Sequence, residues 1–171
     1  KNAIHIQRLK DKVGNRSNSS SEVEFTDAWG VLIGDEGRGI STIIEMATFT
    51  RLDCALSSAG FIRQAFTQAL HYSRNRHAFG KALADQPLMT ELLADMALES
   101  EAATLLAMDL ATHFGSTTAL DTAWRRVMTP VAKFWNCKRA VGLTGEAMEV
   151  FGGNGYVETG AMGRLFREAP V

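Results

Sequence analysis

The chain is 171 residues long, 46% apolar and 22% charged, with a formal net charge of −1. A chain of this size can bury roughly 70% of its unfolded surface, so it can build a core without disulfides or metal staples. That composition excludes a disordered tail, a coiled coil and a disulfide scaffold, and the near-neutral charge gives no global pull toward nucleic acid or an anionic membrane.

Ile4, Ile6 and Leu9 alternate with polar neighbours, the period-2 pattern of a half-buried strand. Gly14 to Ser21 is rich in Gly, Asn and Ser and reads as a loop; residues 22–26 alternate again. Two short strands do not make a stable unit in water, so residues 1–30 read as the end of a larger sheet. Residues 31–39 form a glycine-punctuated connector. From Ile40 the period becomes helical. Ile40, Ile44, Ala47, Arg51, Ala55, Ala59, Ile62, Phe66, Ala69 and Ser73 make one stripe without an intervening proline, a helix of roughly 50 Å.

A second helix opens at Pro87, with Met89, Leu93, Met96, Ser100, Ala103, Ala107, Leu110 and Phe114 on one stripe and Leu88, Leu92, Ala102 and Leu106 on another; Gly115 ends it. A third spans Ala119 to Phe151, with Leu120, Trp124, Val127, Val131, Trp135, Val141 and Met148 expected on its buried side. Pro130 inside it removes a hydrogen bond or kinks it, and Gly152-Gly153 stops it. A short helix is expected over residues 162–168. The fold class is mainly α: an antiparallel four-helix-bundle type over residues 40–171, preceded by two strands.

Cys54 and Cys137 have no C-x-x-C spacing and read as reduced, packed thiols of a cytoplasmic protein. No apolar run approaches the ~18 residues of a membrane span. His71 and His77, six apart, do not share a helical face, so no metal site is expected. Three places offer chemistry. Arg51 stands among Ala47, Ala55 and Ala59; it either holds a ligand oxygen or pairs with Asp53 or Glu45. Arg74-Asn75-Arg76-His77-Ala78-Phe79-Gly80-Lys81 follows the first long helix; its cations either cap the helix dipole or grip a phosphate, with Phe79 giving an apolar face to a ring. Residues 146–156 run from helix into Gly152-Gly153-Asn154-Gly155, either a cap and turn or a place where backbone meets a ligand.

Taken in order, these segments resemble the acyl-CoA dehydrogenase family. The matching pieces are Gly34-Asp35-Glu36-Gly37-Arg38-Gly39, Arg51, Arg76-His77-Ala78-Phe79-Gly80 with Asp85-Gln86-Pro87-Leu88, Phe151-Gly152-Gly153-Asn154-Gly155-Tyr156, and Arg164-Leu165-Phe166-Arg167-Glu168-Ala169. Within the family the chain resembles the AidB-like, alkylation-damage branch, on residues 8–18, 50–56 and 129–134. The resemblance implies the tail of a middle β-domain (1–30), a connector (31–39) and the C-terminal helical bundle domain (40–171), truncated before the usual catalytic segment.

It implies FAD in the full-length protein, lying between β-domain and bundle with a neighbouring subunit's bundle completing the site, and contacted by Arg76, Phe79, Gln86, Gly152 and Gly153. It places Arg51 near an acyl-CoA substrate and implies a homotetramer built as a dimer of dimers. The implied reaction is α,β-dehydrogenation of an acyl-CoA thioester with hydride passing to the flavin; the motifs do not identify the electron acceptor. The family's catalytic glutamate is expected beyond Val171, and Thr50, at the alternative position, cannot replace it. The isolated piece is therefore expected to be inactive and to hold FAD weakly. Glu149 departs from the family's usual glutamine. The alternative is a DNA-alkylation-damage response flavoprotein that binds or protects DNA through regions outside this chain.

Overall fold

The computed structural model describes residues 2–170. Strands β1 (Ile4–Leu9) and β2 (Ser21–Phe25) pair antiparallel, with Ile4 opposite Phe25, Ile6 opposite Val23 and an irregularity between Ile6 and Arg8. Both strands are exposed throughout, which corrects the half-buried expectation: the alternating apolar residues Ile4, Ile6 and Phe25 have no facing layer. The hairpin is instead tied down at its tip. Asn15 N donates to Glu168 Oε2 at 2.6 Å, and a Cβ on Gly14 would lie 2.0 Å from the Arg167 carbonyl oxygen, so only glycine fits there.

Three long helices follow, α1 (Gly39–Asn75), α2 (Pro87–Thr112) and α3 (Ala119–Val150), and a short α4 (Met162–Glu168). Between α1 and α2 lies a small hairpin of two two-residue strands, β3 (His77–Ala78) and β4 (Lys81–Ala82). The core forms three successive layers. Leu52, Ala55, Leu110 and Ala132 make the first; Ala59, Ile62, Ala103, Ala107 and Ala140 the second; Ala65, Ala69, Leu93, Met96, Ala147 and Val150 the third. Residue numbers rise through the layers in α1 and α3 and fall in α2, so α2 runs antiparallel to the other two. Helix α1 carries most of the packing against both neighbours, and α2 and α3 meet sparsely. A groove of about 830 Å³ separates them, floored by Leu92, Met96 and Leu143 and bridged by the Arg139–Glu99 ion pair.

The second-helix stripe Leu93–Met96–Ser100–Ala103–Ala107–Leu110 is buried as expected. The third-helix face is not. Its buried side is Thr129, Ala132, Asn136, Ala140, Thr144, Ala147 and Val150. Leu120 (76% exposed), Trp124, Val127, Val131 and Trp135 point outward, while Val141 and Met148 are half-buried. Small residues win the interior because α1 presents alanines at the same levels. Asn136 reinforces the choice: its Nδ2 donates to the carbonyls of Ala55 (3.1 Å) and Ala103 (3.2 Å), tying three helices at one point. Helix α3 continues through Pro130, whose ring sits on the exposed side. Its missing N–H is thus lost on the wet face of the helix.

The α2–α3 corner is closed by a polar knot. Thr118 Oγ1 accepts the Asp121 N–H at 3.1 Å, a helix N-cap. Hydroxyls of Ser116 and Thr118 donate to the Asp121 carboxylate, and His113 Nδ1 lies 2.6 Å from it. Those hydroxyls, Ser116 first, and then His113 hold the Asp121 carboxyl well below the usual carboxylate range. Arg125 Nη1 donates to the carbonyls of His113 (3.1 Å) and Ser116 (2.8 Å). Among the described residues no helix is long and apolar enough to cross a membrane.

Candidate functional site

Arg51 does not lie in the core. It is exposed on α1, one residue before Leu52, the first buried position of that helix. Among the described residues it forms no ion pair with Asp53 or Glu45. The stripe drawn through Ala47, Arg51 and Ala55 fails here because α1 overhangs its partners: Ile40, Ile43, Ile44 and Phe49 are all exposed. The guanidinium is therefore solvated and available. Beside it, Thr50 directs its hydroxyl to the Ala47 carbonyl at 3.0 Å.

The end of α1 builds the second part of the site. Arg76 is the C-cap: its N–H reaches the Tyr72 carbonyl at 2.8 Å, and its own carbonyl accepts from Leu83 N at 2.8 Å. The chain then turns through Phe79 (φ 54°) and Gly80 (φ 84°), a two-residue hairpin loop with both φ values positive. A bulky aromatic in that region is strained, and its side chain is 97% exposed. The fold gains no burial from this ring. Arg74, Arg76 and Lys81 flank it in sequence, and none is in an ion pair among the described residues. Gln86, half-buried at the N-cap of α2, donates its Nε2 to the Ala78 carbonyl at 3.2 Å and so braces the hairpin.

The third part is the turn after α3. Gly152 has φ 56°, so it needs glycine for its backbone. A Cβ on Gly155 would lie 2.0 Å from the Met148 carbonyl oxygen, so it needs glycine for space. Gly153 has neither constraint: nothing lies within 4 Å of its would-be Cβ, and the backbone there is open to the outside. Beyond the turn, Arg167 forms a two-pronged ion pair with Glu158 at 2.7 and 2.9 Å, and that guanidinium holds the Glu158 carboxyl below its usual range. Glu149 is exposed on the last turn of α3.

The structure brings the second and third parts to one end of the bundle. The joint is Tyr72, which the sequence reading passed over. Its carbonyl caps Arg76, its ring stacks on Phe151 (4.4 Å, 25°), and its hydroxyl accepts from Asn154 Nδ2 at 3.5 Å. Its place four residues before Arg76, the spacing of a helical cap bond, was the available signal. Arg51, 21 residues earlier on the same helix, is about 30 Å away along the axis at 1.5 Å per residue. Among the described residues no three His, Cys, Asp or Glu side chains cluster in a way that could hold a metal.

Comparison with known proteins identifies the family. The family model for the acyl-CoA dehydrogenase C-terminal domain matches residues 37–171. AidB of Escherichia coli (strain K12) is 49% identical over 172 residues, covering 100% of this chain and 32% of that protein. Acyl-CoA dehydrogenase family member 11 of Caenorhabditis elegans is 34% identical over 99% of this chain and 28% of its own length. The structure of Caenorhabditis elegans ACDH-11 in complex with C11-CoA superimposes with a TM-score of 0.94, covering 99% of this chain and 30% of that one. Butyryl-CoA dehydrogenase from Megasphaera elsdenii gives 0.86 at 28% identity, with 97% and 43% covered. The chain thus spans about a third of the length of the first relatives it matches. With the family model and AidB both aligned across its three glycine- and arginine-bearing segments, the chain belongs to the acyl-CoA dehydrogenase family.

Proposed function

We propose that this segment is the cofactor-contacting bundle of an FAD-dependent enzyme that carries out α,β-dehydrogenation of an acyl-CoA thioester. The family is FAD-dependent. The observation that carries the reading is the convergence of Arg76, Phe79 and the Gly152–Gly153 turn on one end of the bundle. The residues fit the adenosine-diphosphate half of that cofactor. Arg76 offers a planar fork to a phosphate, and Phe79 offers an unburied ring face. Gly153 leaves backbone open where nothing internal requires glycine. Gln86 serves from behind, holding the hairpin by the Ala78 carbonyl. When bound, the flavin supplies the hydride acceptor.

Arg51, exposed and unpaired, is the candidate for an acyl-CoA oxygen; the Caenorhabditis elegans neighbour was solved with C11-CoA, which supports that substrate class. Thr50 supplies no base, since an alcohol does not hold an α-proton at neutral pH. The chain by itself is therefore expected to be inactive. We assign residues 1–30 to the tail of a middle β-domain, 31–39 to a connector and 40–171 to the bundle, a division supported by the two-sided exposure of β1 and β2. Self-association, as a homotetramer, and a cytoplasmic location complete the reading. The exposed apolar faces at Ile40–Phe49 and Leu120–Phe134 support association, because patches of that kind mark interfaces.

The test uses the whole protein that carries this segment. It is expected to purify with a visible flavin band and to reduce an electron-accepting dye only when an acyl-CoA is added. A colourless protein that takes up no FAD on reconstitution refutes the proposal. Binding or protection of DNA, through regions outside this chain, is the second reading; on α3 Arg126, Lys133 and Lys138 are in no ion pair among the described residues, whereas Arg139 is paired with Glu99 and Arg125 is held by backbone carbonyls. Duplex affinity that falls steeply with salt, in a protein with no acyl-CoA turnover, would favour it.

A further inference from the structure

We propose that Tyr72 is a positioning residue for the dinucleotide, holding the Arg76–Phe79 hairpin in register with the Gly152–Gly153 turn. The inference rests on the FAD reading above and deepens it. The two elements are 70 residues apart in sequence, and each has its own source of looseness. The hairpin is two residues wide and mostly exposed; the turn contains three glycines. A diphosphate must meet a guanidinium on one and backbone on the other at the same time. If the two wander independently, binding must order them and affinity falls accordingly.

Tyr72 is the residue that touches both. From α1 it receives the Arg76 N–H on its carbonyl, which fixes where the hairpin begins. Its ring lies flat on Phe151, the residue immediately before Gly152. Its hydroxyl meets Asn154, inside the turn itself. Phenylalanine would keep the cap and the stack and lose only the Asn154 bond. Alanine would lose both the stack and that bond and keep only the cap, which belongs to the backbone. The side chain is half-buried and also packs against the third core layer, so its loss lowers Tm as well, and affinity measured beside Tm separates the placement of the two loops from general stability.

The experiment uses the whole flavoprotein as wild type, Tyr72→Phe, Tyr72→Ala, Asn154→Ala, Arg76→Ala and Ile62→Val, the last a core control remote from the site. FAD affinity is measured on the apoprotein by flavin fluorescence, ADP affinity by calorimetry, and apoprotein Tm by circular dichroism. Tyr72→Ala is expected to weaken FAD and ADP by the same factor, about tenfold. Tyr72→Phe and Asn154→Ala are expected to weaken both by a smaller and mutually similar factor. Ile62→Val lowers Tm without moving either affinity. The inference is overturned if Tyr72→Ala shifts affinity no more than Ile62→Val does, or if FAD weakens while ADP does not. Should Tyr72→Ala not fold, equal affinities for wild type, Tyr72→Phe and Asn154→Ala overturn it. If wild type binds no FAD, the proposed function falls and this inference with it. If Arg76→Ala weakens FAD while the Tyr72 variants do not, only this inference falls.

Discussion

Two glycines of one turn should respond oppositely to the same substitution. In Gly155→Ala the new Cβ would sit 2.0 Å from the Met148 carbonyl oxygen and 2.9 Å from its carbon. Both are backbone atoms in the last turns of α3, so no side chain can swing aside. Ordinary contact would require a shift of more than 1 Å, and overpacking of that kind costs about 1–3 kcal/mol. At roughly 2–4 °C per kcal/mol for a chain of this size, Tm should fall by about 2–12 °C. In Gly153→Ala the Cβ meets nothing within 4 Å and the backbone is not in the left-handed region. The unfolded chain loses freedom, so the change should be neutral or stabilising by about 0.4–1 kcal/mol. On FAD affinity the order reverses, because Gly153 is the open one. Thermal unfolding followed by circular dichroism, with flavin fluorescence titration on the whole protein, measures both. A Gly155→Ala protein as stable as wild type would refute the steric reasoning. A Gly153→Ala protein with lowered Tm and unchanged FAD affinity would refute the assignment of its openness to a ligand.

Phe79→Gly should raise stability while weakening FAD, since it relieves a positive φ at a ring that buries nothing; the expected net gain is about 0.5–1 kcal/mol, and a loss of stability on chemical denaturation would show that the ring packs after all. Asp121→Asn should lower Tm at neutral pH. The Asp121 carboxyl is held below its ordinary range when folded, so its contribution is fully present above about pH 4, the ordinary carboxylate value, and is lost as pH falls further toward its lowered value. The Tm gap between wild type and Asp121→Asn should therefore narrow as pH falls below about 4, and a gap that widens over that acid range contradicts the corner described here.

Much of the fold was legible because glycine and proline punctuate it. Pro87 and Gly115 bracket α2, and Gly152-Gly153 ends α3. The second-helix stripe was also readable, since its buried residues are its larger apolar ones plus alanines at the same spacing. The third-helix face was misread for the reverse reason. Periodicity weighs a residue by hydrophobicity, so Leu120, Trp124 and Val131 outvoted Thr129, Ala132, Asn136 and Ala140. What decided burial was the gap left by the alanines of α1, a property of another helix. Arg51 suffered from the same limit: a stripe shows which side a residue is on, and not how far the neighbouring helices extend. In the candidate site, Arg76 and Phe79 were readable from their motif. Tyr72 was not, because its importance lies in touching two segments that are distant in sequence. Gln86 was read as a ligand contact, and its hydrogen bond to Ala78 became visible only once the hairpin had formed.

The overhang of α1 bears on how that helix opens and closes. From Gly39 to Arg51 no residue is buried, no side chain caps the N-terminus and the first turn holds no acid. From Leu52 onward nearly every third or fourth residue is sealed in the core. A single rod about 55 Å long thus contains two regions of different local stability. Amide hydrogens in its first three turns should exchange by fraying, in the absence of whatever covers Ile40, Ile43 and Ile44, while those past Leu52 should exchange only when the whole bundle opens. Protection of the first stretch would then report directly on the contacts that the rest of the protein, or another subunit, makes with this end.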